Sequence, residues 1–116
     1  RLSDIKDLQL SKVKGTLVNF SNFAALFAEN ELIDEWQIEL RKRNNDPFDM
    51  DELVVYTTVK QECDQAQLQE DIKVKMVSSM EIRPNDVLVI EMDEMLKRLD
   101  LEGNKAKRIV DNRPQE

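Results

Sequence analysis

The feature that most constrains the fold is a pair of strand-forming runs separated by a short polar segment. Residues 35–42 (EWQIELRK) alternate between apolar and polar side chains, which is typical of a half-buried strand. Residues 52–59 (ELVVYTTV) are rich in β-branched and aromatic side chains, the types that favour strands. The segment 44–49 between them contains asparagine, aspartate and proline, which favour turns. We therefore predict an antiparallel hairpin with a long loop.

Helices are predicted on both sides of this hairpin. The apolar stretch 17–20 predicts a short strand, and Ser21 after it is a predicted N-cap. Residues 64–80 predict a second helix, because apolar side chains recur every four residues along one face. The apolar stripes of the two helices consist of Phe23, Leu26 and Phe27 in the first and Leu68, Ile72, Met76 and Met80 in the second.

The C-terminal part adds a strand and a helix. Residues 86–91 contain the buried-strand sequence VLVI, and Asp93 is predicted to cap a final helix. The inward-facing side chains of that helix are predicted to be Met95, Leu96 and Leu99. The resulting order, β-α-β-β-α-β plus an extra helix and a polar tail, predicts a ferredoxin-like α+β fold with an antiparallel sheet and helices on one face. We expect one domain spanning residues 1–116, disordered only after Arg108.

Composition excludes several classes of function. A formal net charge of −7 argues against binding to a nucleic-acid backbone. The chain has no histidine and a single cysteine, Cys63, which excludes Ser–His and Cys–His nucleophile pairs, an internal disulfide and a thiolate metal site. It has no run of 18 apolar residues and no signal-peptide pattern, so we expect a cytoplasmic protein that does not bind membranes. A freestanding ferredoxin-like module that binds or responds to a small molecule stays open as an alternative.

Basic residues cluster near the end of this otherwise acidic chain, at Lys105, Lys107 and Arg108. A lysine held on a turn can meet a carboxylate or a phosphate as it reacts, although a solvated basic tail gives the same pattern. Residues 103–113 (GNKAKRIVDNR) resemble the closing signature of acyl-adenylating enzymes, above all of the phenylacetate–coenzyme A ligase family, whose tails follow G-K-A-x-R-V-x-D-x-R. Residues 12–15 (KVKG) with Val18 resemble the K-V-R-G-x-x-V segment that opens the C-terminal domain of that family.

The resemblance implies the C-terminal lid domain of an ATP-dependent, AMP-forming acyl- or aryl-coenzyme A ligase. Residues 1–14 would lie next to the hinge, and residues 100–116 would form a lysine-bearing tail. The implied partners are an N-terminal adenylation domain of the same chain and a small carboxylic acid. The implied cofactors, ATP with Mg²⁺ and coenzyme A, would be bound mainly by or with that domain, and the isolated domain is expected to be inactive. A lid whose acyl acceptor is not coenzyme A is an alternative.

The resemblance also implies roles for particular residues. Lys105 would support adenylation by offsetting negative charge between the carboxylate and the α-phosphate. Lys107 competes for this role, because an asparagine separates the glycine and lysine that are adjacent in the family. The segment that faces coenzyme A would contain Lys12, Lys14 and Gly15, and the hinge would contain Ser3 and Asp4. Gly15 can alternatively be a turn residue with positive φ.

Overall fold

The hairpin predicted from the sequence forms the centre of a four-stranded sheet in the computed structural model, which describes residues 10–100 and 108–114. The strands of the described residues are β1 (Leu10–Val13), β2 (Thr16–Asn19), β3 (Ile33–Lys42), β4 (Asp51–Val59), β5 (Asp86–Val89) and β6 (Ile109–Asp111). Their helices are α1 (Ser21–Ala28), α2 (Gln65–Met80) and α3 (Met92–Leu99), and a short 3₁₀ turn covers Arg43–Asn45. The strand order in the sheet is β5-β4-β3-β6, and β1 pairs with β2 in a separate antiparallel hairpin.

The predicted α+β class is confirmed, and each predicted strand and helix is present. The strands β1 and β6 were not predicted, and the first predicted strand, β2, pairs with β1 instead of joining the four-stranded sheet. The strand directions differ in part from the prediction, because the sheet is mixed rather than wholly antiparallel. β3 and β4 are antiparallel, but β5 lies parallel to β4 and β6 lies parallel to β3. The reason is that α2 is a crossover connection, which returns the chain to start β5 in the same direction as β4.

The main hydrophobic core lies between the sheet and the helices α1 and α2. Its buried side chains include the predicted stripes of both helices, and Met80 packs against it while partly buried. The start of α2 agrees with the sequence, since Asp64 Oδ1 accepts the N–H of Gln67 at 3.1 Å. At α1 the predicted cap is displaced: Ser21 is the first helical residue, and its N–H donates to Asn19 Oδ1 at 3.0 Å.

The extra helix α3 covers the opposite face of the sheet. Met95 and Leu99 pack there against Val54 and Tyr56 in a second, smaller cluster. The inward orientation predicted for Leu96 is wrong, because this side chain is 45% exposed. The helix is also held by a polar contact, since the buried Gln37 donates from Nε2 to the carbonyl of Arg98 at 2.8 Å.

The tail contains a strand that the sequence did not predict. Instead of becoming disordered after Arg108, residues 109–111 form β6 on the edge of β3. The pairing is extended on both sides, because the N–H of Ile38 donates to the Arg108 carbonyl at 2.8 Å and that of Asn112 donates to the Leu40 carbonyl at 2.7 Å. The final residues of the signature are therefore part of the sheet.

Candidate functional site

The opening motif forms the tight turn of the β1–β2 hairpin. Val13 pairs with Thr16, so Lys14 and Gly15 are the two loop residues. Both have positive φ, 54° and 81°, as a type I′ turn requires. Glycine adopts this conformation freely, whereas Lys14 adopts it at a cost of about 1 kcal/mol. A Cβ on Gly15 would meet no atom within 4 Å, so φ alone accounts for glycine here, and its expected role as a turn residue is confirmed.

Asp51, the first residue of β4, holds the strained residue of this turn. Its Oδ2 accepts the backbone N–H of Lys14 at 2.8 Å, a donor that a two-residue hairpin loop leaves without a partner in the ladder. The ammonium of Lys42 lies 2.8 Å from Oδ1. The Asp51 side chain is only 12% exposed, so these contacts take place at low local dielectric, where they are strong.

Arg113, in the closing motif, completes this arrangement. Its Nε and Nη2 donate to the two carboxylate oxygens of Asp111 at 2.9 and 2.7 Å, a bidentate pair that fixes the guanidinium plane. Its Nη1 donates to the backbone carbonyl of Lys12 at 2.7 Å and lies 3.4 Å from Asp51 Oδ2. We call this set of contacts the turn network; its members are Lys12, Lys14, Lys42, Asp51, Asp111 and Arg113.

The charges of the turn network shift the pKa values of its members. Burial by itself would raise the pKa of Asp51, but the hydrogen bonds from Lys42 and the Lys14 amide and the charge of Arg113 outweigh it, and the net shift is downward. The hydrogen bonds from Arg113 lower the pKa of Asp111. Burial lowers the pKa of the Lys14 amine, with nearby carboxylates opposing the shift. Both carboxyl groups are therefore charged at neutral pH.

A cleft of about 560 Å³ opens beside this turn. The three cations in its lining are already bound within the chain. Lys14 Nζ donates to the Arg83 carbonyl at 2.7 Å, Lys42 pairs with Asp51, and Arg43 pairs with Asp49 at 3.0 Å. Three carboxylates, of Asp49, Asp51 and Glu52, line the same cleft, so its charge does not favour the triphosphate of ATP. Among the residues that the structure describes, no three His, Cys, Asp or Glu side chains come together to hold a metal ion.

The other end of β6 is anchored at Arg108. Its Nη1 donates to the Trp36 carbonyl at 2.8 Å, Nη2 pairs with Glu35, and the guanidinium lies 5.2 Å from the centre of the Trp36 ring. An irregularity in the β3–β4 register between Ile33 and Trp36 accompanies this contact. There the N–H of Glu35 donates to Thr58 Oγ1 at 2.9 Å, and such a bulge redirects side chains at a strand edge.

The structure brings some of the predicted site residues together. Lys12, Lys14 and Gly15 lie at one turn, and both lysine side chains are exposed. The competing adenylation candidates Lys105 and Lys107 lie outside the described residues, as do the hinge candidates Ser3 and Asp4. Among the described residues on either side of the two lysines, the Arg98 carbonyl accepts from Gln37 and the Arg108 carbonyl accepts from Ile38, at adjacent positions of β3.

Sequence reasoning missed the residues that organise the turn. Asp51 had no signal beyond its place at the start of a strand. Lys42 lies opposite it in the β3–β4 hairpin, but its contacts with Lys14 and Arg113 come from distant parts of the chain. Asp111 and Arg113 belong to the closing signature, and their spacing of two within an extended segment puts both side chains on one face. That spacing was the available signal.

Comparison with solved structures finds chains of similar fold. No protein-family model and no curated protein matches the chain. A domain of phenylacetate-coenzyme A ligase from Bacteroides vulgatus ATCC 8482 has a similar structure, with a TM-score of 0.67 and 17% identity over 92% of this chain and 95% of that one. McyG A-PCP complexed with phenylalanyl-adenylate gives a TM-score of 0.55 and 14% identity over 73% of this chain.

At 17% and 14% identity, these similarities show the fold. The chain spans 16% of the McyG chain, so in that neighbour the shared fold is one part of a larger protein. No helix within residues 10–100 and 108–114 has the length and apolar character needed to cross a membrane.

Proposed function

We propose that the chain is the C-terminal lid domain of an ATP-dependent, AMP-forming ligase that joins a carboxylic acid to coenzyme A, similar to phenylacetate–coenzyme A ligase. One observation carries the proposal. The two segments that resemble that family meet where Arg113 Nη1 donates to the carbonyl of Lys12, a residue 101 positions away in the sequence. If the two segments resembled the family only by chance, there would be no reason for them to be joined in one hydrogen-bonded network.

In this proposal a partner adenylation domain, N-terminal in the same polypeptide, binds ATP with Mg²⁺ and the acid. The paired cations of the cleft support that division, because the described part of the lid offers no cation cluster for a triphosphate there. The lid contributes one lysine, Lys105, whose charge offsets the negative charge that gathers as the carboxylate meets the α-phosphate. Arg108 keeps the chain that follows this lysine fixed on β3.

In the same proposal the turn of the β1–β2 hairpin serves the second step, the formation of the thioester. In that step the thiol of coenzyme A would attack the acyl carbon of the acyl-adenylate, which forms the thioester and releases AMP and a proton. Lys12, Lys14 and Gly15 would line its approach, and the open space at Gly15 fits that role because no side chain of the described residues fills it. Closing of the lid positions reactants and excludes water, which is the usual contribution of such movements.

The test uses the polypeptide that carries this chain together with its adenylation domain. We expect Lys105→Ala to lower acid-dependent pyrophosphate exchange by about 10²–10³-fold, the size expected for removing one charge-stabilising group. Thioester formation from a supplied acyl-adenylate should be largely kept. Lys107→Ala is the matched variant, and it should leave both half-reactions close to wild type.

The outcomes separate the alternatives. Loss of exchange in Lys107→Ala alone would move the adenylation role to Lys107. Unchanged exchange in both variants would contradict a lysine role for this tail. If the acyl group passes only to an acceptor other than coenzyme A, the lid function holds and the proposed acceptor is wrong. Formation of an acyl-adenylate by the 116-residue chain alone would contradict the lid proposal.

A further inference from the structure

The turn network joins three segments that lie far apart in the sequence. Arg113 lies two residues after β6, and Lys12 precedes the turn near the opposite end of the chain. Asp51 lies between them; it accepts from the Lys14 amide and also faces Arg113. The Asp51 carboxylate therefore contacts the strained turn. The Arg113 guanidinium contacts both this carboxylate and β1, the strand that leads into the turn.

The turn needs such support because its conformation is unfavourable for a lysine. Lys14 has a φ of 54°, and non-glycine residues in this region persist when neighbouring contacts over-determine them. Its amide is bound to Asp51 and its ammonium to the Arg83 carbonyl, so the residue is held from two sides. Strain held in this manner is a recurrent property of functional sites.

We propose that Asp51 and Arg113 are positioning residues that hold the turn in its strained conformation and connect it rigidly to β6. The catalytic meaning of this proposal rests on the proposed function. If that function holds, the contacts connect the segment that follows the adenylation lysine directly to the turn that serves thioester formation. β6 is the link: Arg108 anchors one end to Glu35 and Trp36, and Arg113 anchors the other to the turn.

The first test measures amide hydrogen exchange by NMR in the 116-residue chain, without ATP, acid or coenzyme A. In Asp51→Ala the Lys14 amide loses a hydrogen bond to a charged acceptor, and its exchange should accelerate by about tenfold or more. In Arg113→Lys it should accelerate by a smaller factor. A lysine keeps the charge but cannot contact Asp111, Asp51 and the Lys12 carbonyl at once. The amides of Leu68 and Ile72 in the core of α2 should not change.

Arg98→Lys is the matched control, because Arg98 is also ion-paired, with Glu94, but lies on α3 at the opposite face. It should leave the Lys14 amide unchanged. The proposal is overturned if Lys14 exchange is unchanged in both network variants, or if Lys14 and the α2 amides accelerate by the same factor, which would mean a general loss of stability. If Asp51→Ala does not fold, Arg113→Lys decides by the same criteria.

A second test uses the ligase assays. Arg113→Lys should lower thioester formation from supplied acyl-adenylate by more than it lowers pyrophosphate exchange, because Arg108 still anchors the lysine-bearing side of β6. Equal losses in both half-reactions would contradict a role in positioning the turn. Since the exchange experiment needs no substrate, a failure of this inference and a failure of the ligase proposal give different results.

Discussion

The face of the sheet that α1 and α2 cover and the turn network are held together by different kinds of contact. Under α1 and α2 the contacts are apolar, and the buried set includes Phe23, Leu40 and Ile72. Around the turn the contacts are ion pairs and hydrogen bonds centred on Asp51 and Arg113. Apolar packing tolerates small shifts in position, whereas hydrogen bonds to charged groups fix distance and direction. The segment that needs a defined geometry is thus held by the more directional contacts.

The largest expected effect is on the apolar side of this comparison. Ile72 is 1% exposed in the middle of α2, and we expect Ile72→Ala to lower the free energy of unfolding by about 2–5 kcal/mol, from lost burial and the cavity left behind. The effect should not depend on pH, because no ionisable group is removed. Urea unfolding at pH 7 and at pH 5 measures both points.

Val74→Ala on the same helix is the matched control for Ile72→Ala. Val74 is 58% exposed, so its truncation should change the free energy of unfolding by no more than about 0.5 kcal/mol. Alanine favours a helix more than isoleucine or valine does, so helix propensity cannot explain a loss in either variant. If the two variants lose similar amounts of stability, burial of Ile72 is not what stabilises α2. The contrast between an apolar face and a charged turn would then lose its physical basis.

On the charged side, Asp51→Asn should lower the free energy of unfolding by about 1–3 kcal/mol at pH 7, and this loss should depend on pH. The pKa of Asp51 is lowered in the folded protein. Its carboxylate therefore stabilises the fold above the unfolded pKa of about 3.9, and that contribution disappears as pH falls through the lower folded value. The difference in the free energy of unfolding between wild type and Asp51→Asn should therefore become smaller below about pH 4.

Urea midpoints measured from pH 7 down to pH 3 test this narrowing. Asp34→Asn, at an exposed position of β3, removes the same charge away from the turn network and should show a small difference at every pH. If the loss of stability in Asp51→Asn is the same at every pH, Asp51 acts through its packing and not through its charge. The turn network would then depend less on charge than its contacts indicate.

How far the sequence predicted each region follows from the same difference. The stripes of α1 and α2 repeat locally, so periodicity alone identified Phe23, Leu68 and Ile72 as buried. The turn network could not be read in that way. Its key hydrogen bond joins residues 101 positions apart, and it exists because β6 pairs in one particular register on β3. A turn fixes register in a hairpin, but β6 is parallel to β3 and no hairpin turn joins them, so this register has no local signal in the sequence.

The candidate site was also predictable only in part. Gly15 was recognisable as a turn residue, and the structure confirms its positive φ. The strand β6 was missed because its three residues are followed by a polar stretch, which resembles a solvated tail. Gln37 is one of the polar residues in the alternation of residues 35–42, yet it is buried because α3 covers that side and offers the Arg98 carbonyl as a partner. Tertiary cover of this kind overrides the alternation of a strand.

The smallest expected effect on stability is at Gly15, and it separates conformation from space. Gly15→Ala should lower the free energy of unfolding by about 1 kcal/mol, because alanine is unfavourable at a φ of 81°. Gly15→Asn should lower it by less, since asparagine tolerates positive φ and a Cβ meets nothing within 4 Å. Urea unfolding of both variants checks the order; a larger loss for asparagine than for alanine would mean that space, not φ, requires glycine.

The same pair of variants also links stability to the proposed thioester step. A side chain at position 15 occupies the space through which the thiol is proposed to approach, whichever variant supplies it. We therefore expect Gly15→Asn to fold nearly as stably as wild type and still to slow thioester formation from supplied acyl-adenylate, with pyrophosphate exchange kept. If a well-folded Gly15→Asn forms thioester at the wild-type rate, the turn is a structural element of the hairpin, and the approach of coenzyme A must lie elsewhere on the lid.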